Sequence, residues 1–338
     1  MNNQGTAAYK TRVIFRDCEF IGVTRIELKV ILLGRASGGG DPIEAPGFLG
    51  RGRRADPITA LKLKDDDKSM IRVSIVTISF NQAEFLERTI QSVLAQDYSN
   101  VEYIVVDPGS TDGSREIIDR YRSRISKVIF QPDLGAADGL NHGFAEATGE
   151  IFGFLNSDDL LLPGALSSVV RFFGGHEDVD VVSGHGNLIG PDDSILRRLY
   201  SDRMSLNRCI YRGVFLIQQS TFFRRGIFER VGGFRVENRI CWDGELFLDM
   251  ARGGGKFAVT KEFWSAYRVH PESITISQSN GELAHRTFIE MFSRAKGRQP
   301  TRYDQALTFG CHFLRKVLNP IDTWERIRRG PVSRPFSR

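Results

Sequence analysis

Residues 152–164 read FGFLNSDDLLLPG. An apolar run at 152–155 stops against Asn156, Ser157, Asp158 and Asp159, and a second apolar run follows at once. Adjacent carboxylates repel, and either is costly to desolvate without a counter-charge. One way to accommodate the pair is a strand end that turns at the surface with both groups in water. The other is a divalent cation bound at the carboxyl end of a central strand, because carboxylate oxygens are hard ligands suited to Mg2+ or Mn2+.

The surrounding elements decide between the two. From Met70 the chain alternates between strand and helix patterns. Residues 73–78 read as a buried strand. Residues 83–96 read as a helix with Leu86, Ile90, Val93 and Leu94 on one face. Strands are predicted at 102–107, 127–131 and 151–155, and helices at 114–123 and 137–147. Such alternation, with strands apolar on both faces, predicts an α/β fold with a mostly parallel sheet covered by helices. Ligands of these sheets sit outside the carboxyl ends of the strands. Ser79, Phe80 and Asn81 follow the first strand, Asp107 ends the second, and residues 156–159 end the fourth. Three polar strand ends on one edge favour the cation over the surface turn. An exposed Phe80 could stack on a base, so the parts describe a nucleoside-diphosphate site. The sequence holds no GxxxxGK[ST] loop, HExxH or GxSxG, and GHGNLIG at 184–190 lacks the GxGxxG spacing.

Bulk properties exclude other classes. The chain has 338 residues, 41% hydrophobic and 26% charged, as in a water-soluble globular protein. No run reaches the roughly 18 apolar residues of a membrane-spanning helix, and no signal-peptide core opens the sequence. Cys18, Cys209, Cys241 and Cys311 are scattered without a CxxC pair, which fits reduced thiols in a cytoplasm. Residues 311–338 carry seven Arg/Lys against Asp322 and Glu325, so this tail accounts for the whole net charge of +5. That argues against a nucleic-acid partner and for a local basic patch able to meet an anionic membrane. We therefore expect a cytoplasmic protein, peripheral on the inner membrane face. Residues 1–69, rich in Gly and Arg with an acidic cluster at 65–67, lack sustained periodicity and are expected to form a poorly ordered extension.

Two long stretches, VSIVTISFNQAEFLERTIQSVLAQDYSNVEYIVVDPGSTDGSREII and PDLGAADGLNHGFAEATGEIFGFLNSDD, resemble the amino-terminal half of family 2 inverting glycosyltransferases. QQSTFFRRGIFERVGGF, WDGELFLDMARGG and YRVHPESIT resemble that family's acceptor-side half. The likeness covers roughly residues 72–276. It implies the GT-A fold, a Rossmann-like mixed sheet covered by helices, and transfer of a sugar from a nucleotide-sugar donor, UDP-sugar favoured, to a glycan or lipid-linked acceptor in cell-surface polysaccharide synthesis. By resemblance, Phe80 packs on the nucleobase, Asp107 helps hold the nucleoside, and Ser79, Asn81, Asp138 and Asn141 line the donor site. Asp158 would lie near the ribose, Asp159 and His270 would hold Mn2+ or Mg2+, and Asp243 would be the catalytic base. Gln218 and Gln219 could bond the acceptor or end a buried strand.

Three positions depart from the family pattern: Asn156 for a first Asp, Pro108 for an acidic residue that reads the base, and Asp249 for the usual Arg. They keep a non-catalytic nucleotide-sugar binder in view. A sugar-1-phosphate nucleotidyltransferase is disfavoured because TISFNQAEF holds no glycine-rich basic loop. The expected organisation is an extension at 1–69, a glycosyltransferase domain at 70–280 with donor (70–160) and acceptor (161–280) halves, and a basic helical tail at 281–338.

Overall fold

The strand and helix periods of the sequence are realised in a computed structural model that describes residues 71–273 and 281–330. The extension at 1–69 and the last basic residues of the tail, Arg334 and Arg338, lie outside the described residues. β1 (Val73–Ile78), β2 (Val101–Val106), β3 (Lys127–Ile129) and β4 (Ile151–Asn156) are mutually parallel in the order β3-β2-β1-β4. Between them run α1 (Ala83–Leu94), α2 (Ser114–Arg120) and α3 (Ala136–Ala145).

The alternate residues of each strand feed two cores, as a pleated sheet covered on both faces requires. Val73, Ile75, Tyr103, Val105, Ile151 and Leu155 pack against Leu86, Ile90 and Val93 of α1 and Ile117 and Ile118 of α2. Val76, Ile104, Val106, Phe152 and Phe154 face Ala137, Leu140 and Phe144 of α3 on the other side. Here the rings of Phe144 and Phe152 stack with centroids 4.7 Å apart. Gly143 lets α3 approach, since a Cβ there would stand 2.4 Å from Val76 Cγ1.

Beyond β4 the chain reverses into the short β5 (Leu160–Leu161) and then α4 (Ala165–Gly175), whose Leu166, Val169 and Phe173 complete the first core. β6 (Val181–Ile189), β7 (Ile195–Leu199), β8 (Thr221–Arg224) and β9 (Phe257–Arg268) extend the same sheet as β4-β8-β6-β9-β5, with β7 beside β6. β8 runs antiparallel to both β4 and β6, which makes the sheet mixed. α5 (Leu206–Ile210), α6 (Arg225–Val231) and α7 (Trp242–Arg252) cover this half. The chain closes with α8 (Gly281–Lys296), α9 (Arg302–Leu318) and α10 (Pro320–Arg329). Phe292 of α8 packs with Tyr211 and with Leu248 of α7.

Candidate active site

Parallel register brings the polar strand ends level. Ile78 pairs with Val106 on one side and with Asn156 on the other, so Ser79, Asp107 and Ser157 emerge side by side from adjacent strands. Neighbouring strands are spaced about 4.8 Å apart, so these groups fall within one small ligand's reach. Three buried polar atoms along this edge have no hydrogen-bond partner among the described residues: Ser79 Oγ, Asp107 Oδ2 and Asn156 Oδ1. An unpaired polar atom costs roughly 1–3 kcal/mol when buried, so this edge is a candidate for contact with water or a ligand.

The surrounding loops are built to hold them. Asp107 is fully buried; its Oδ1 accepts from the amides of Gly109 (3.0 Å) and Ser110 (2.8 Å) and from Arg115 Nε (3.1 Å), which aims Oδ2 away from them. Arg115 in turn lies 4.5 Å over the Phe130 ring. Asn81, in the left-handed region at φ 52°, receives the Thr111 amide on Oδ1 at 2.9 Å, and its own amide bonds Ser110 Oγ at 2.8 Å. Asp112 caps α1 through the Ala83 amide and is held below the usual carboxylate range: its bonds from Ser114 and from the Ala83 amide outweigh the opposing effect of burial. The turn that carries Phe80 is thus laced to the β2–α2 loop, and Phe80 itself stands 59% exposed, open to a stacking partner.

The two carboxylates that open the β4–β5 turn have different surroundings. Asp159 is completely buried. Its Oδ1 accepts the Arg268 amide at 2.9 Å, and its Oδ2 accepts Gln219 Nε2 at 2.6 Å and Asn156 Nδ2 at 3.3 Å. Burial, with Asp158 alongside, pushes its carboxyl well above the usual range. Asp158 keeps a partly exposed side chain, and its Oδ2 lies 3.2 Å from His270 Nε2. His270 is buried, tilted against the Phe85 ring at 4.7 Å, with its amide on Ser273 Oγ. The fully buried Arg268 fixes this corner, donating from Nε to the Asp158 carbonyl at 2.7 Å and from Nη1 to the Gly190 carbonyl at 2.9 Å. Protein donors reach both oxygens of Asp159, the expected cation ligand, and Asp158 is the more exposed of the two carboxylates. Asp158 and His270 offer the open carboxylate–imidazole pair. Among the described residues no cluster of three or more His, Cys, Asp or Glu forms a ready metal cage, so a cation held by this pair would need oxygens from a ligand.

The donor-side residues on α3 divide. Asp138 Oδ2 closes the turn before the helix by accepting the Leu134 amide at 2.9 Å, and Oδ1 lies 3.7 Å from His142 Nε2. Asn141 uses both ends of its amide on Phe234, donating to the carbonyl at 2.8 Å and accepting from the amide at 2.9 Å. It thereby clamps the segment that leads to α7.

That segment positions Asp243, in the first turn of α7. Asn238 accepts the amides of Ile240 (3.1 Å) and Cys241 (2.8 Å) and donates to the buried Glu245 at 2.7 Å. Arg294 of α8 also pairs with Glu245. Trp242 belongs to the same apolar cluster as Phe154 of β4. Burial raises the Asp243 carboxyl above the usual range, only partly offset by backbone hydrogen bonds such as that from the Gly244 amide. Asp249, standing where the family resemblance expects Arg, receives Arg235 Nε at 2.9 Å. The guanidinium comes from the α6–α7 loop instead. Gln218 and Gln219 are internal: Gln218 donates to the Phe154 carbonyl at 2.8 Å, and Gln219 holds Asp159. Arg115, Asn238 and Arg268 were not singled out from sequence. Arg115 and Arg268 lie within the stretches STDGSREII and YRVH that carry the family resemblance.

Comparison with known proteins places the chain. Residues 74–232 match the model of glycosyl transferase family 2. An uncharacterized glycosyltransferase of Mycobacterium tuberculosis is 31% identical over 183 residues, covering 53% of this chain and 68% of the relative. With these matches, the chain belongs to glycosyl transferase family 2. It spans only about two thirds of the length of the curated relatives it matches, 65% of one and 68% of another. Among solved structures, S. aureus TarS 1-349 in complex with UDP-GlcNAc aligns with a TM-score of 0.56 at 16% identity, covering 73% of this chain and 72% of that one. A mannosyltransferase from Pyrobaculum calidifontis in complex with GDP-Man and Mn2+ aligns with a TM-score of 0.53 at 19% identity, covering 78% and 74%. Likenesses at these identities establish the shared GT-A fold.

Proposed function

We propose that this protein is a metal-dependent inverting glycosyltransferase that moves a sugar from a nucleotide-sugar donor to an acceptor hydroxyl in polysaccharide synthesis. The observation that carries the reading is the set of polar strand ends on one edge, Ser79 Oγ and Asp107 Oδ2 with Asn156 Oδ1 one register position earlier, all buried and without a partner among the described residues, near the Asp158–His270 pair. A nucleoside diphosphate supplies what that set lacks. In this reading Phe80 stacks on the base, Asp107 Oδ2 accepts from the nucleoside, and Asp138 faces the donor sugar. Asp158 and His270 would hold Mn2+ or Mg2+, which when bound supplies positive charge for the leaving diphosphate. The sugar nucleotides named with TarS and the mannosyltransferase support a nucleotide-sugar donor for this chain, and the mannosyltransferase's Mn2+ supports a divalent ion.

Asp243 acts as the base. Its burial keeps the carboxylate basic enough to take the acceptor proton while the acceptor oxygen attacks the anomeric carbon and the diphosphate departs. A single displacement with one base and no covalent sugar intermediate inverts the anomeric centre. The test is release of nucleoside diphosphate from a panel of UDP- and GDP-sugars, with Mn2+ and glycan or lipid-linked acceptors. Metal-dependent release that falls about 10²–10⁴-fold in Asp243→Asn is expected. Tight donor binding with no turnover on any acceptor would instead mark a non-catalytic binder.

A further inference from the structure

We propose that the outer faces of α9 and α10 form a docking surface for an anionic phospholipid bilayer. Phe309, Phe313 and Val317 recur every four residues along α9, and Ile321, Trp324 and Ile327 every three along α10. All six are between 53% and 73% exposed. Six large apolar side chains on two consecutive helices are more than the scattered exposure usual for a protein in water.

The opposite faces of these helices are fixed by polar groups. The nearly buried Asp202, which follows β7, accepts Arg315 Nε at 2.6 Å and Asn319 Nδ2 at 2.8 Å. Buried Asp322 accepts Arg315 Nη2 and Arg326 Nε, each at 2.9 Å. Thr301 and Asp304 form a capping box at the start of α9, and Asn319 caps α10. The helix pair is thereby anchored by its polar side, and its apolar side is left facing outward.

Charge selects the occupant. The last turn of α10 holds Arg326, Arg328 and Arg329, with Arg328 5.1 Å over the Trp324 ring. An aromatic ring with a guanidinium at its edge suits the boundary between acyl chains and headgroups. Arg326 is engaged by Asp322, so the exposed Arg328 and Arg329 are the charges that an anionic leaflet attracts. No helix among the described residues is long and apolar enough to cross a membrane, so the pair would lie on the surface. This surface is independent of the proposed donor site.

Trp324 reports the contact directly. Of the three tryptophans, Trp242 and Trp264 are 8% and 1% exposed and Trp324 is 55% exposed. Adding vesicles of phosphatidylcholine with phosphatidylglycerol to the full chain should blue-shift its fluorescence and carry it into the vesicle pellet. Phosphatidylcholine alone should do neither. Salt at about 0.5 M, with a Debye length of about 4 Å, should release most of the protein. Trp324→Phe should still sediment with vesicles but lose the shift. The double variants Phe313→Glu/Ile321→Glu and Arg328→Glu/Arg329→Glu should each weaken binding at least about tenfold, with thermal unfolding unchanged because all four side chains are exposed. Equal binding to neutral vesicles, or no binding, overturns the proposal. So does a dimer in solution that Phe313→Glu/Ile321→Glu dissociates, which would identify a second copy as the occupant.

Discussion

Asp158 and Asp159 show how one peptide unit can separate two roles. Asp159 is consumed by Arg268, Gln219 and Asn156, whereas Asp158 remains partly exposed beside His270. Asp159→Ala should therefore destabilise the fold by about 1–3 kcal/mol in urea unfolding, because it orphans buried donors. Asp158→Ala, which removes only the His270 Nε2 contact, should destabilise less than Asp159→Ala and should remove Mn2+-dependent nucleotide binding by calorimetry. Asp243 carries a pH signature. Its folded carboxyl is raised above the ordinary 3.8 by burial, so the folded state binds a proton more tightly than the unfolded chain. Ionising it costs stability that is lost as pH rises from 3.8 through the folded value. At neutral pH Asp243→Asn should thus raise the unfolding midpoint while lowering turnover about 10²–10⁴-fold. In the wild type kcat/KM should fall on acidification through an apparent pKa above 3.8. A midpoint lowered by Asp243→Asn would contradict a raised carboxyl at that position.

At the scale of elements, close approach of α3 to the sheet keeps the polar row in place. Gly143→Ala would set a methyl group 2.4 Å from Val76 Cγ1 and 3.2 Å from Val106 Cγ2. Overpacking of this kind costs about 1–3 kcal/mol, read as a lower midpoint in denaturant at constant slope. The parallel half of the sheet was legible because its strands are short apolar runs and its helices keep an apolar face every three to four residues. The structure places β1 at Val73–Ile78 and the end of α1 at Leu94, against expectations of 73–78 and 96. The strands β6 to β9 were not legible. Glycines interrupt β6, with Gly184 packed where a Cβ would meet the Trp264 ring at 2.6 Å. β9 carries Lys261 and Glu262 within a 12-residue run. The internal role of Asp159 was hidden for a related reason, since its donors arrive from 60 and 109 residues away. Local pattern shows where a carboxylate sits along the chain, but not which distant donors will enclose it.

Across the whole molecule, one mixed sheet joins a half that presents the polar row to a half that supplies Arg268, His270 and Asp243. The two meet at the β4–β5 turn, where Leu160 pairs with Ala266 of β9 and so draws Asp159 to Arg268. Binding of donor and cation should therefore stabilise both halves together. A single cooperative transition should move upward by about 2.7 kcal/mol at a hundredfold excess over Kd. The central claim is that the polar strand ends form a metal-assisted nucleoside-diphosphate site. It is tested most directly by isothermal titration of UDP and GDP into the full chain with and without Mn2+, on the wild type, Asp158→Ala and Asp107→Asn. The account predicts saturable binding of one nucleotide per chain that requires Mn2+. That binding is lost in Asp158→Ala and weakened in Asp107→Asn, whose Oδ2 is the unpaired acceptor. Absence of nucleotide binding, or binding indifferent to Mn2+ and to Asp158→Ala, would contradict it.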